Sequence, residues 1–268
     1  MTPCVFITGA SSGIGLATAE YFLSKGWNVA ASMRDPAKES ALGAHPQLMR
    51  PQLDVSDPNS IAKAVEAVLA QWGRIDVLIN NAGYGLIGPI EAADDAQIRQ
   101  QFEVNVFGLM AVTRAVLPAM RAAGCGTLVN ISSMAGYACF PYYSLYHAGK
   151  WAVEGFSESL RYELEPFGIR VKLVEPGLIK TDFHTRSKVS VSAGPYAQHA
   201  EQAMARMDKF HRLSSPVERA AAKIYQAATD PGAKLRYPFG WDAKTLYLLK
   251  RVIPDRLLCR LIRFFCMA

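Results

Sequence analysis

Short apolar, β-prone runs alternate along this chain with longer stretches in which apolar residues recur at helical spacing. Val5-Phe6-Ile7, Val29-Ala30-Ala31, Val77-Leu78-Ile79 and Leu128-Val129 are apolar at every position. Strands that bury both faces in this way belong to a parallel sheet with helices on each side. The pattern predicts strands over residues 4–8, 28–32, 49–54, 75–80, 127–132, 170–174 and 235–239. Helices are predicted over 13–25, 58–72, 95–122, 145–166 and 216–230. Seven strands joined by such short crossovers imply one α/β domain. Its expected form is a doubly wound, mostly seven-stranded parallel sheet of Rossmann type. Residues 1–240 are expected to form this domain, with 241–268 an extension of it. The polar stretch 180–215 contains no clear strand and is expected to be a substrate loop, partly helical.

Composition narrows the class. Half of the 268 residues are hydrophobic and 19% are charged, which excludes a disordered chain. No unbroken apolar run reaches the roughly 18 residues of a membrane-spanning helix. The first residues lack a basic segment, so no secretory signal is expected. The five cysteines are odd in number and scattered without a C-x-x-C pair, the pattern of reduced thiols in a cytoplasmic protein. The five histidines show no metal-ligand spacing, so no metal site is expected. Four of the six net positive charges fall in residues 241–268, where six basic residues face two acidic ones. The rest of the chain is nearly neutral, which argues against a nucleic-acid partner.

Candidate chemistry begins after the first strand, at Thr8-Gly9-Ala10-Ser11-Ser12-Gly13-Ile14-Gly15. A glycine turn between strand and helix is a dinucleotide-binding context. Gly9 permits the tight turn, Gly13 the close approach of backbone to a pyrophosphate, and Gly15 the packing of helix on strand. After the second strand comes Arg34, where a guanidinium can grip a 2′-phosphate and favour NADP over NAD. Asp35 follows and can reach a ribose. Tyr146 and Lys150 stand four apart, on one helix face. An ammonium there can pull a phenol's pKa toward the working range and make it a proton donor to a carbonyl. Spacing alone is not diagnostic, since Tyr21 and Lys25 share it. Ser133 distinguishes the later pair, because it lies at the carboxyl end of a strand, where its hydroxyl can hold the substrate oxygen. Asn80-Asn81-Ala82-Gly83 ends the fourth strand on the same edge. Asn105, in mid-helix, is unfavourable there and implies a role beyond propensity.

With these residues in order, the chain resembles the short-chain dehydrogenase/reductase family. The matching signatures are Thr8–Gly15, Asp54-Val55, Asn80–Gly83, Asn105, Ser132-Ser133, Tyr146/Lys150 and Pro176-Gly177-Leu178-Ile179-Lys180-Thr181. The resemblance implies Tyr146 as acid/base, with Lys150 lowering its pKa and binding the nicotinamide ribose. It implies that Ser133 polarises the carbonyl and that Asn105 holds a water in a proton relay. Asp54 and Val55 are implied to contact adenine, Asn81 a ribose, and Ile179 and Thr181 the nicotinamide amide. Ser11, Ser12, Ile14, Ala82, Gly83, Pro176 and Gly177 are placed with the cofactor by the same resemblance. His147 departs from the family, where this position is usually small, and is expected to be packed or on the surface.

Arg34 and the long tail are more similar to the branch that contains 17β-hydroxysteroid and retinol dehydrogenases. Ala135, Phe140 and Tyr143, with Ser133 and Tyr146, are expected to line an apolar substrate pocket. The expected activity is NADP(H)-dependent interconversion of a hydrophobic carbonyl and its alcohol. Alternatives are a 3-oxoacyl-thioester reductase and a non-catalytic NADP sensor; a sugar-nucleotide epimerase or dehydratase needs a longer substrate domain. The resemblance also implies a homodimer or homotetramer. In the tail, Arg256, Arg260 and Arg263 lie opposite Leu257, Leu258, Leu261, Ile262 and Phe265. Such a basic amphipathic helix can make peripheral membrane contact, cover the cleft or pack on a second subunit.

Overall fold

All seven expected strands pair in one parallel sheet. The structure is a computed structural model that describes residues 1–38, 41–181, 183, 189–190, 194–212 and 214–267. The sheet order is β3-β2-β1-β4-β6-β7-β9: Leu48–Met49, Asn28–Ala31, Cys4–Ile7, Val77–Asn80, Gly126–Ile131, Ile169–Pro176 and Arg236–Phe239. Val5 aligns with Val29 on one side and Val77 on the other; Thr127 aligns with Val77 and Arg170. A two-stranded parallel sheet, Leu86–Ile87 (β5) with Val189–Ser190 (β8), stands apart from it. The third strand is shorter than the expected 49–54: only Leu48 and Met49 pair with β2, and one further bridge joins Met33 to Gln52. An edge strand has a partner on one side only, so its apolar pattern does not fix how far pairing extends.

Alternate residues of the strands feed two cores. Val5, Ile7, Val29 and Val129 meet Phe22 of helix α1 (Gly13–Ser24) and Ile224 of α7 (Val217–Thr229). Phe6, Leu78 and Leu128 meet Val65 of α2 (Pro58–Trp72), Val112, Val116 and Met120 of α4 (Leu109–Ala123), and Val153 and Leu160 of α5 (Ser144–Leu164). Asp57 caps α2, accepting from the Asn59 N–H, and Pro58 supplies its first turn.

The expected helix 95–122 is not continuous. It comprises α3 (Asp95–Phe102), a π-helical segment Glu103–Gly108 and α4. Gly108 accounts for part of this: a Cβ there would fall 2.8 Å from the Val55 carbonyl oxygen, so the widened turn seats backbone against the strand loop. Asp95–Ala123 contains an 18-residue window apolar enough to cross a membrane by length and composition, although Asn105, Thr113 and Arg114 keep it from being an unbroken apolar run. Its Val112, Val116 and Met120 are fully buried in the core, while Phe107 is exposed.

The stretch 180–215 contains α6 (Ala197–His211), as expected of a partly helical loop; residues 182, 184–188, 191–193 and 213 of it lie outside the described residues. The tail forms α8 (Trp241–Val252) and α9 (Asp255–Met267), and α9 packs along α6.

Candidate active site

The carboxyl ends of β1, β4, β6 and β7 converge where the strand order reverses, the crevice in which open α/β sheets bind ligands. Gly9 leaves β1 with φ +67°, and a Cβ on it would come within 2.8 Å of Ala82 Cα. A Cβ on Gly15 would land on the Gly9 carbonyl oxygen and 2.5 Å from Asn81 Nδ2. The turn is laced to β4 from both sides: Thr8 Oγ1 accepts from the Asn81 and Ala82 N–H groups at 3.0 Å, and Asn81 Nδ2 donates to Thr8 O and Gly9 O.

Whether the site fits a dinucleotide can be tested on α1. Ser12 precedes the helix without capping it, and no acidic residue occupies the first turn. The side-chain caps that α2 and α3 carry are absent here, so first-turn N–H groups face the glycine turn ready for an anion. Gly13 has φ +55°, and Thr181 closes over it, 3.5 Å from where a Cβ would stand. Gly9, Ser11, Ser12, Gly13, Ile14, Gly15, Asn81, Ala82 and Thr181 are thus gathered at one place, and they suit a pyrophosphate. Arg34 is exposed beside Asp54, whose carboxyl is held low by hydrogen bonds from Ser56 and, to a smaller degree, by Arg34.

Two sequence assignments acquire a different basis. Asp54 accepts from the Ser56 N–H and Oγ at 2.9 and 2.6 Å, so its carboxylate shapes its own loop. Val55 is packed in the core against α4. Asn105 is buried, and both ends of its side-chain amide meet one residue: Oδ1 accepts from the Tyr84 N–H at 3.0 Å and Nδ2 donates to the Tyr84 carbonyl at 2.7 Å. It pins the loop after β4, which gives this mid-helix asparagine a structural task.

Ser133 sits just beyond β6 and caps a short 3₁₀ turn, accepting from the Ala135 N–H at 3.1 Å and reaching Pro176 O at 3.4 Å. Tyr146, in the first turn of α5, is buried. Its phenol is pushed up to about 12 by that burial, against a hydrogen bond with Ser133 that lowers it. Lys150 lies one turn on, its Nζ 5.7 Å from the Tyr146 ring centroid and donating to Ile131 O at 2.8 Å. Desolvation pushes the lysine down to about 8, while Glu154 opposes the shift. The expected lowering of the Tyr146 phenol is therefore absent in the protein alone: burial outweighs an ammonium turned toward β6. The other Tyr–Lys pair has no such setting, since Tyr21 packs on Tyr225 with Lys25 5.2 Å from its ring centroid.

His147 is a packed histidine. Its Nδ1 lies 2.8 Å from Ala135 O, and its Nε2 accepts from the Phe140 N–H at 2.8 Å, which stitches the 135–140 loop to α5. Burial holds it low, so the ring is neutral, with the proton on Nδ1.

The expected substrate residues Ala135, Phe140, Tyr143 and Tyr146 do form one apolar cluster, together with Ile87, Phe183, Met204 and Met207. Phe183 approaches the Tyr146 ring at 5.7 Å. Tyr142 adopts φ +65°, a costly conformation for a tyrosine, and its carbonyl accepts from the Gly88 N–H. Burial, then Asp208, Tyr146 and Cys266, push the Tyr143 phenol up, which sets the end of α9 beside this wall.

Behind Lys150, sequence reasoning missed a buried ionic cluster. Arg236 Nε stands 3.2 Å from Glu154 Oε2 and 3.4 Å from Glu175 Oε1, and its Nη2 stands 2.8 Å from Glu158 Oε2. Glu175 is wholly buried; desolvation first, and Glu154 second, push it up to about 8. Also missed was a buried chain in which Asn80 Nδ2 donates to Thr113 Oγ1 and Asn130 Oδ1, and Asn130 Nδ2 to Ser157 Oγ. A signal for both was available: Asn80, Asn130 and Glu175 lie in or beside strands expected to be buried on both faces, where polar groups are nearly always paired.

This glycine turn, uncapped helix and Ser–Tyr–Lys array on a seven-stranded parallel sheet define a nucleotide-binding α/β enzyme. The sequence profile of the short chain dehydrogenase family matches residues 3–190. The chain is similar to 3-ketodihydrosphingosine reductase of Bacteroides thetaiotaomicron, with 34% identity over 265 residues and 97% of each chain covered. The crystal structure of a short-chain dehydrogenase from Streptomyces avermitilis superposes with a TM-score of 0.86 at 35% identity, over 98% of this chain and 96% of that one. A short-chain dehydrogenase from Burkholderia cenocepacia, solved in complex with NADP, superposes with a TM-score of 0.78 at 26% identity over 97% of each. The chain belongs to the short-chain dehydrogenase/reductase family.

Proposed function

We propose that this protein is an NADP(H)-dependent reductase of a hydrophobic ketone, working in reverse on the corresponding alcohol. The observation that carries this reading is the Tyr146 hydroxyl beside Ser133, at the floor of a wall built from Ile87, Phe140, Tyr143, Phe183, Met204 and Met207. Such a wall offers a substrate apolar surface and one polar anchor, the arrangement that suits a carbonyl on a bulky apolar body.

Bound NADPH supplies the hydride; the rest falls to the chain. Ser133 and Tyr146 lie within hydrogen-bond reach of each other, so an oxygen bound between them would meet both hydroxyls as alkoxide develops. Burial keeps Tyr146 protonated, the form a reduction needs, and the phenol gives its proton to the oxygen. Lys150, fixed to the end of β6 by Ile131 O, stands ready to stabilise the phenolate left behind. Asn81, Asn105 and the glycine turn position the cofactor side of the crevice, and Met204 and Met207 exclude water from the other.

Exposed Arg34 on the rim favours NADP over NAD, in keeping with the NADP bound by the Burkholderia relative. The name of the Bacteroides relative supports a ketone on a long lipid-like chain. Exposed Phe107, Trp151, Tyr162 and Phe167 on the π segment, on α5 and just beyond it support a homodimer or homotetramer. The five free cysteines suit a cytoplasmic setting.

The test follows nicotinamide absorbance with purified protein and a series of ketones of increasing chain length, against NADPH and NADH. The reading expects NADPH-linked turnover that rises with chain length and disappears in Tyr146→Phe. Tight NADPH binding with no turnover on any ketone, or turnover confined to small polar ketones, refutes it.

A further inference from the structure

The last tenth of the chain holds a surface that neither the fold nor the proposed chemistry uses. Helix α9 has three faces. Leu258 and Cys266 are buried and Ile262 half-buried, and this face seats the helix on the protein. Around the helix from it lie Leu257, Leu261, Phe264 and Phe265, at i, i+4, i+7 and i+8, all exposed; Phe264 is 65% accessible. The third face carries Arg256, Arg260 and Arg263, all exposed. On α8, Trp241, Leu248 and Val252 form another exposed apolar row at i, i+7 and i+11. Eight of the fifteen large exposed hydrophobic residues among the described ones lie between Trp241 and Met267.

We propose that α8 and α9 dock this protein on an anionic lipid surface, with Leu257, Leu261 and Phe264 entering the headgroup boundary and Arg256, Arg260 and Arg263 meeting lipid phosphates. The charge decides between occupants. A second copy packed on this face would have to supply acidic partners for the three arginines, and α9 itself carries only Asp255, which already pairs with Lys250. An anionic bilayer complements both the apolar face and its cationic flank, which is the arrangement of helices that lie in the membrane plane. The positive charge is concentrated here, since residues 1–240 carry only two of the six net charges.

The location gives the contact a use. Phe265 packs edge-on against Phe210 of α6, ring centroids 6.4 Å apart, and α6 carries Met204 and Met207 over the Tyr146 cluster. A docked α9 therefore sets the apolar cluster around Tyr146 next to the lipid phase, where a long-chain ketone resides. This consequence rests on the proposed substrate class; the docking itself does not.

The experiment sediments the full-length protein with vesicles of phosphatidylcholine alone and of an equal mixture with phosphatidylglycerol, at low and high salt. Expected are binding to the mixed vesicles, weakening with salt, and little binding to the neutral ones. Each arginine near an anionic surface contributes roughly fivefold to partition, so Arg256→Glu with Arg260→Glu should weaken binding by at least about tenfold. Leu261→Ser with Phe264→Ser should do the same, while Lys63→Glu with Arg121→Glu, on the opposite part of the chain, should leave binding unchanged. Thermal midpoints of all variants verify folding; both arginines are exposed, so that pair stays informative if the apolar pair does not fold. Wild-type protein left in the supernatant of mixed vesicles overturns the proposal. So does undiminished binding in the arginine pair, or loss of self-association in the apolar pair with no lipid binding by the wild type. None of these readouts requires turnover, so failure here and failure of the reductase reading remain separate results.

Discussion

Replacing Glu175 by glutamine should make the protein more stable, and increasingly so as pH rises. Glu175 is fully buried on β7, within 3.4 Å of Arg236 but close to the second carboxyl of Glu154, and desolvation pushes it up to about 8. In the unfolded chain it titrates near 4.3. Between those values the native protein keeps a proton that the unfolded chain has released, so stability declines as pH rises and levels off above about 8. The slope is at most ~1.4 kcal/mol per pH unit, which makes ~5 kcal/mol the ceiling for the whole window. Relaxation and sharing of the proton with Glu154 reduce it, and a difference of ~1–3 kcal/mol is expected. Glutamine does not titrate and leaves Arg236 its pairs with Glu154 and Glu158. Urea unfolding of wild type and Glu175→Gln, at equal protein concentration and at pH 5 and 8.5, measures the effect as a change in midpoint at constant slope. The variant should gain on the wild type from the lower pH to the higher. A stability difference equal at both pH values would refute a protonated Glu175, and with it the account of this cluster as a buried carboxyl pair sharing one guanidinium.

Other expectations follow from the same geometry. Tyr146→Phe should lower turnover by ~10²–10⁴-fold and leave NADPH affinity within about threefold, measured by initial rates and fluorescence titration. Arg34→Ala should weaken NADPH binding about tenfold or more and leave NADH almost unaffected, a loss typical of one charge-assisted contact. Gly9→Ala, forced to φ +67° and against Ala82, should cost about 2 kcal/mol or more, visible as a thermal midpoint lowered by several degrees. Alcohol oxidation needs the Tyr146 phenolate and ketone reduction the phenol, so pH profiles in the two directions should have limbs of opposite sign. Oxidation should rise with pH, and parallel profiles would count against Tyr146 as the acid/base group.

The chain alone was enough for the sheet and for the order of its parts. Strands apolar on both faces leave no stable alternative to a helix-covered parallel sheet, and the glycine turn, Ser133 and the Tyr146/Lys150 pair lie where short connections must place them, at strand ends and on the first turns of helices. Local signals of this kind act over a few residues, so they survive without tertiary information. What they could not convey is how side chains divide their polar groups among distant partners. Asn105 was visible as an anomaly, yet only the fold shows that both ends of its amide are taken by Tyr84, across a π-helical turn that no periodicity announces. The Tyr146–Lys150 spacing suggested a lowered phenol, whereas packing around the site decides that desolvation wins until the site is filled. Glu154, Glu175 and Arg236 come from a helix and two strands, and Met204 and Met207 reach Tyr146 from α6, in a stretch that carries no strand signal. Such assemblies depend on contacts between residues dozens of positions apart, and on the dielectric those contacts create; pattern along the chain carries neither.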